Sequence, residues 1–135
     1  MKAAIKTSDF GDDYEKLGYF PFDQKRGASV ARTLECAYDD YCVYLLAKAA
    51  GNKNESERFL KRSKFYKNLF DKSTGFMRGK DSNGNWREPF DEFKFPNGGG
   101  CGRDYIEGNA LQYSWHVNQD FDGLIELFGD NEKTA

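Results

Sequence analysis

Cysteine and histidine are scarce in this sequence, and long apolar runs do not occur. Three cysteines, Cys36, Cys42 and Cys101, include no Cys-x-x-Cys pair, so neither a disulfide framework nor a zinc site follows from them. Cys36 and Cys42 fall on one predicted helix at a separation that does not bring two side chains onto one face. All three read as small buried or half-buried residues. His116 is the single histidine, and no serine or cysteine is tied to it by a recognisable motif, which leaves a catalytic triad unsupported. Flanked by aromatics, it reads as structural. No stretch approaches the roughly 20 consecutive apolar residues of a membrane span, and Met1 to Phe10 carries lysines without the apolar run of a signal peptide. The expectation is a soluble chain that carries no address of its own.

What is present points to one globular unit. The 135 residues are 39% hydrophobic and 31% charged with a formal charge of −2, which suits a single domain and argues against a nucleic-acid wrapper driven by net charge. Twelve Phe, eight Tyr and two Trp are enough aromatic volume to fill a core. The mean hydropathy is nevertheless low, −0.83. Many aromatics beside many charges and 14 Gly predict short amphipathic elements on long loops, with aromatic surface left to meet another body. Charge is uneven: residues 53–80 hold nine basic against three acidic side chains, and residues 81–135 hold four against eleven. Lys61, Arg62, Lys64 and Lys67 form no phosphate stripe, because Glu55 and Glu57 interrupt the segment and no base-stacking motif accompanies it. They read as a solvated helix face.

The periodicity is helical. Ser29 reads as an N-cap, after which Val30, Leu34, Ala37, Tyr38, Tyr41, Tyr44 and Leu45 recur at helical spacing up to Gly51. Asn54 and Glu57 resemble a capping box opening a second helix with Phe59, Leu60, Tyr66, Leu69 and Phe70 on its apolar face. A short connection makes the pair an αα-hairpin. Asp71 to Gly75 reads as a turn, Phe76 to Arg78 as extended, and Asn83-Gly84 as a tight turn before Trp86. Asp81, Asn83 and Asn85 do not make a calcium loop, since the glycine falls between the polar residues and no bidentate Glu closes it. Residues 88–106, with Pro89, Pro96, Gly98, Gly99, Gly100 and Gly102, read as a loop without the Lys-Ser/Thr ending of a phosphate loop. Asn109 to Val117 begins a short helix, and Phe121, Leu124, Ile125 and Phe128 form a last amphipathic one stopped by Gly129. The class is mainly α, with helix hairpins, a small β-hairpin-like excursion and long loops.

Carboxylates are the chemical candidates: Asp39, Asp40, Asp91, Asp104 and Glu107. Glu107 follows a glycine-rich loop, precedes a helix start and has Tyr105, Tyr113 and Trp115 nearby in sequence. Such surroundings desolvate a carboxyl and raise its pKa toward general-acid service. The other reading is a helix cap favoured by the helix dipole. Asp39 and Asp40 are explained equally well by hydrogen bonding within helix packing.

Five blocks in one order resemble a known family. They are Gly18-Tyr19-Phe20-Pro21, then Ser29-Val30-Ala31-Arg32-Thr33-Leu34-Glu35-Cys36-Ala37-Tyr38-Asp39-Asp40-Tyr41, then Tyr66 to Asp71 with Thr74 to Arg78. Trp86-Arg87-Glu88-Pro89-Phe90-Asp91 and Glu107-Gly108-Asn109-Ala110 with Gln112-Tyr113 complete the set. Together they are similar to family 92 of the glycoside hydrolases, calcium-dependent exo-acting α-mannosidases. The likeness is thinnest from Glu92 to Arg103 and over the last few residues. Leu111 stands where the family usually carries Trp, and His116-Val117-Asn118-Gln119-Asp120 where it carries Phe-Val-Pro-His-Asp.

The resemblance implies inverting hydrolysis of terminal α-mannosides, often α-1,2-linked, in an (α/α)6 toroid packed beside a β-sandwich. Residues 1–135 resemble a single partial domain, one segment of that toroid, with the sandwich and the later part of the toroid absent. Glu107 matches the general acid that protonates the departing glycosidic oxygen. Inversion also needs a base, which in the family lies in a later Gly-Asn-Glu-Asp-like segment that does not occur here. Calcium is implied for the parent family, with ligands drawn largely from elsewhere and no complete site in these residues. Trp86, Asp91, Asn109, Gln112 and Tyr113 are expected to shape the mannoside site, because sugar pockets combine aromatic faces with fixed polar groups. Periplasmic, surface or secreted placement is implied for the parent. The competing expectation is a non-catalytic helical module for binding or assembly, self-associating through exposed toroid surfaces. A lectin-like module rests on the aromatics alone.

Overall fold

A computed structural model describes residues 2–7, 10–24, 27–95, 101, 102 and 104–129. In order along the chain come α1 (Lys2–Thr7), α2 (Asp12–Leu17), α3 (Ser29–Ala49), α4 (Lys53–Arg62) and a 3-10 turn (Phe65–Leu69). Two short antiparallel ladders follow, β1 (Phe70–Asp71) with β2 (Phe76–Met77), and β3 (Cys101–Gly102) with β4 (Tyr105–Ile106). The chain then passes through α5 (Ala110–Tyr113) and α6 (Phe121–Phe128). Helices dominate, as expected for part of an (α/α) toroid. The prolines and glycines at positions 96 and 98–100 lie outside the described residues.

α3 runs without Gly or Pro, and it is the spine of the unit. Val30, Leu34 and Ala37 on its inner face pack with Tyr66, Leu69, Phe70, Met77, Tyr105, Ala110, Val117 and Leu124. Val30, Leu34, Leu69, Met77, Val117 and Leu124 each contribute about 1.5–3 kcal/mol by leaving water. The helix start differs from expectation. Ala28, in a left-handed conformation at φ 60, occupies the cap position, and Ser29 is already helical. No local side chain satisfies the first amides; the Asp104 carbonyl accepts from both Val30 N and Ala31 N at 3.0 Å. Three residues join α3 to α4, and Gly51 takes the left-handed turn at φ 68. The cap of α4 is Asn52, whose side chain accepts from Glu55 N at 3.3 Å, two positions before the expected box. The helical pattern read through Phe70 breaks earlier: after Arg62 the chain tightens into the 3-10 turn and then into β1.

Two expectations about polar groups are corrected by burial. Arg62 is not part of a solvated face; its guanidinium is buried and bonds Asp40 at 2.8 and 3.0 Å and Glu15 at 3.0 Å. Tyr14 of α2 donates to the same Asp40 carboxylate at 3.0 Å, so one buried cluster fastens α2 to the α3–α4 hairpin. An unpaired charge here would cost several kcal/mol, and the Arg62–Asp40 ion pair at 2.8 Å avoids it. Cys42 is exposed and Cys36 half-buried, because successive turns of α3 carry them to different faces.

Candidate functional site

Glu107 sits between β4 and α5, and the chain on either side of it is fixed. Upstream, β4 pairs with β3 in the register Cys101↔Ile106 and Gly102↔Tyr105. The Tyr105 hydroxyl donates to the Met77 carbonyl at 2.7 Å. Burial, and after it the neighbouring Asp104 charge, push that phenol well above its ordinary pKa, so it stays a neutral donor. Downstream, Asn109 caps α5 in a reciprocal box: Gln112 N donates to Asn109 Oδ1 and Asn109 N to Gln112 Oε1, each at 3.2 Å. Tyr113 reaches back and donates its hydroxyl to the Ile106 carbonyl at 2.9 Å. Gly108 leaves room for this closure, since a Cβ there would meet Gln112 Oε1 and the Tyr113 ring at 3.0 Å.

Between these two restraints Glu107 adopts φ 49. A left-handed conformation costs a residue with a Cβ roughly 1–3 kcal/mol and persists where the surroundings fix it, most often at functional positions. The cap reading of Glu107 gives way to Asn109. The aromatic surroundings expected for Glu107 are arranged differently: Tyr105 and Tyr113 lie against each other with centroids 5.5 Å apart, and Trp115 stacks on Phe128 at 5.2 Å. The Glu107 side chain is exposed, so the described residues do not enclose it.

The other expected residues divide into two groups. Asp91 accepts from Phe93 N at 3.0 Å, the Phe93 carbonyl accepts from Asn109 Nδ2 at 3.3 Å, and Leu111 N reaches the Glu92 carbonyl at 3.4 Å. This brings the Asp91 turn onto the start of α5 and groups it with Asn109, Gln112 and Tyr113. The polar atoms of Asn109, Gln112 and Tyr113 serve the backbone on either side of Glu107, and that of Asp91 serves its own turn. Trp86 belongs to a second group, with Lys80 Nζ 4.1 Å from its ring centroid and an antiparallel bridge joining Lys80 to Trp86. Burial depresses the Lys80 pKa, with Asp71 opposing. Arg78 ties this segment to β1 through Asp71 at 2.7 Å, the Arg87 carbonyl at 2.7 Å, and Glu88. Burial works to raise the Asp71 carboxyl, but bonds from Ser73 and Arg78 outweigh it and hold the group below its usual range. Asp104 is among the carboxylate candidates, but its partners Ser29 and Arg87 lie 75 and 17 residues away along the chain, so no local signal marks it.

A cavity of about 450 Å3 opens between α2 and the start of α3, bordered by Phe10, Asp12, Phe20, Pro21, Gln24 and Arg32. Its border includes none of the expected site residues, and geometry around Glu107 is the better guide to chemistry. Among the described residues no three His, Cys, Asp or Glu side chains gather into a metal-binding group. The donor set for a calcium ion is therefore not met by them, and no chemical step here runs through one. No helix among the described residues is long and apolar enough to cross a membrane.

The sequence profile of the glycosyl hydrolase family 92 catalytic domain matches residues 2–135. A family 92 α-mannosidase of Bacteroides thetaiotaomicron in complex with mannoimidazole superposes with a TM-score of 0.91 at 38% identity, covering 98% of this chain and 18% of that one. A family 92 inverting mannosidase of the same organism gives a TM-score of 0.88 at 30% identity, covering 98% and 19%. An "uncharacterized secreted glycosidase" of Arthroderma benhamiae is 30% identical over 78% of this chain and 16% of its own length. The chain thus spans under a fifth of the length of these relatives.

Proposed function

The chain belongs to glycosyl hydrolase family 92, and on that premise we propose that it forms the acid-bearing segment of the catalytic toroid of an inverting exo-α-mannosidase. Glu107 is the general acid. As the bond between the anomeric carbon and the glycosidic oxygen breaks, the Glu107 carboxyl gives its proton to that oxygen and the aglycone leaves as an alcohol. A water attacks the opposite face and gives its proton to a second carboxylate, which regenerates the acid–base pair after exchange with solvent. An inverting pair stands roughly 6.5–9.5 Å apart to admit that water. The base, any calcium ligands and the walls that desolvate Glu107 come from other parts of the domain.

The observation that supports this reading most is the left-handed backbone of Glu107, held between the Tyr105 and Tyr113 bonds within a family match that runs the length of the chain. The substrate is a terminal α-mannoside or mannose-containing glycan, α-1,2-linked in the simplest case. Asp91, Asn109, Gln112 and Tyr113 shape the acid's side of the pocket, and Trp86 offers an aromatic face. Periplasmic, surface or secreted placement accords with the secreted fungal relative. In an enzyme that joins these residues to the rest of a family 92 domain, Glu107→Gln lowers turnover of α-1,2-mannobiose by about 10²–10⁴-fold. Turnover close to that of the parent removes the assignment.

A further inference from the structure

We propose that Asp104 is a positioning residue for Glu107, setting the backbone from which the acid reaches the glycosidic oxygen. The inference rests on reading Glu107 as the general acid.

Asp104 is 4% exposed and stands three residues before Glu107. Its carboxylate is fully engaged: Oδ1 accepts from Ser29 Oγ at 2.7 Å and Arg87 Nη2 at 3.0 Å, and Oδ2 from Arg87 Nε at 2.7 Å. Its carbonyl accepts both leading amides of α3, from Val30 and Ala31. One residue therefore joins the start of α3, the segment after Trp86 and the strand leading to Glu107. The space beside it is closed, because a Cβ at Gly79 would come within 2.6 Å of the carboxylate. Arg87 is itself aligned, its N–H donating to the Gly79 carbonyl at 2.9 Å and its guanidinium lying 3.8 Å from the Phe22 ring centroid.

Between this anchor and Glu107 lie only Tyr105 and Ile106, which are paired in β4 and tied to Met77 and Tyr113. The anchor is thus coupled through two fixed residues to the strained φ 49 of Glu107. Loosening it lets Glu107 relax toward the ordinary negative-φ region and swings its carboxyl away from the leaving oxygen. Burial and full hydrogen bonding keep Asp104 itself off the substrate, so it acts through Glu107.

The test uses an enzyme in which these residues continue into the remainder of the family 92 domain. Two substrates are compared, α-1,2-mannobiose, whose sugar leaving group needs protonation, and 2,4-dinitrophenyl α-mannoside, whose phenolate does not. Asp104→Asn is expected to lower kcat on mannobiose by roughly ten- to a hundredfold, the scale of a misplacement near 1 Å. On the dinitrophenyl substrate kcat/KM stays within about threefold, because the acid contributes little there. Ser29→Ala, which removes one bond and spares Arg87, shows the same split at smaller size. Equal losses on both substrates, or no loss on either, overturn the proposal. Glu107→Gln run alongside separates the two readings. If it shows the split and Asp104→Asn does not, Asp104 alone is wrongly assigned; if it shows none, the general-acid reading falls and takes this inference with it.

Discussion

Asp40 faces opposing demands. Burial pushes its carboxyl up to about 6, while the Arg62 guanidinium and the Tyr14 hydroxyl pull the other way and Glu15 adds a smaller upward push. The native state then takes up this proton at a higher pH than the unfolded chain, whose carboxyl has its ordinary value. In the window between about 4 and 6 the native state binds more protons, so this group's contribution to stability falls as pH rises through it, by at most ~3 kcal/mol in all. Asp71 and Asp120, both held below the usual range, act in the opposite sense at lower pH, where their contribution is lost on acidification. Thermal unfolding is expected at a higher midpoint at pH 5 than at pH 7, with the difference reduced in Asp40→Asn; an unchanged difference contradicts the assignment. The cysteines give a second check. Burial, then the charges of Asp40 and Asp39, push the Cys36 thiol up to about 12, while Cys42 is exposed. At pH 8 that leaves roughly 10⁻⁴ of Cys36 as thiolate, so iodoacetamide mapping should find Cys42 alkylated well before Cys36. Comparable rates would show Cys36 to be more open than its burial indicates. Neither result was legible in the sequence. Asp40 and Cys36 sit in a helical repeat, but the burial that raises their pKa values, and the Tyr14 and Arg62 groups that oppose it at Asp40, depend on how α2 and α4 pack against α3.

Elements were legible where the pattern was long and missed where capping came from afar. Twenty-one residues of α3 repeat apolar positions over many turns, and α6 shows the same period up to its terminating Gly129. The start of α3 was misplaced because its amides are satisfied by the carbonyl of Asp104, 75 residues from Ser29, rather than by a local side chain. α4 slipped by two residues because Asn52 and Asn54 are both good caps, and the geometry of the Gly51 turn selects the first. α6 offers a test in which local and tertiary effects have opposite signs. Helix propensity predicts that Gly123→Ala stabilises by about 0.5–1 kcal/mol. Packing predicts the reverse, since the new Cβ would fall 2.5 Å from the Tyr66 hydroxyl and displace the Tyr66–Asp120 bond of 2.5 Å and the Lys64–Asp120 pair of 2.7 Å. A net loss of about 1–3 kcal/mol in denaturant melts is expected, and a gain would mean that α6 is not docked through Asp120.

At the scale of the whole molecule, the outer surface is as informative as the core. Leu46 is 52% exposed, Trp115 49% and Phe121 56%, with Tyr38, Leu45, Leu111 and Ile125 also open. Side chains of this size left in water suit a segment whose relatives are more than five times longer. Many aromatics on short amphipathic elements implied such surfaces. Which faces stay open was not legible, because that depends on where α5 and α6 fold back. By itself the chain is expected to self-associate in size-exclusion chromatography with light scattering, and a compact monomer at all concentrations would contradict this. The candidate site shows the same division. The block around Glu107 was legible as a candidate acid beside residues expected to shape a mannoside pocket, whereas the bonds by which Asn109, Gln112 and Tyr113 brace the backbone were not, and neither were the contacts of Asp104, because Ser29 and Arg87 approach it only in three dimensions. As proposed, these residues carry the acid of an α-mannosidase, and its base and metal ligands lie elsewhere in the domain. Mannose release from α-1,2-mannobiose by the isolated chain in calcium, measured beside Glu107→Gln, tests this. No release is expected from either protein; release by the unaltered chain that Glu107→Gln abolishes would contradict the proposal and show that these residues complete the site themselves.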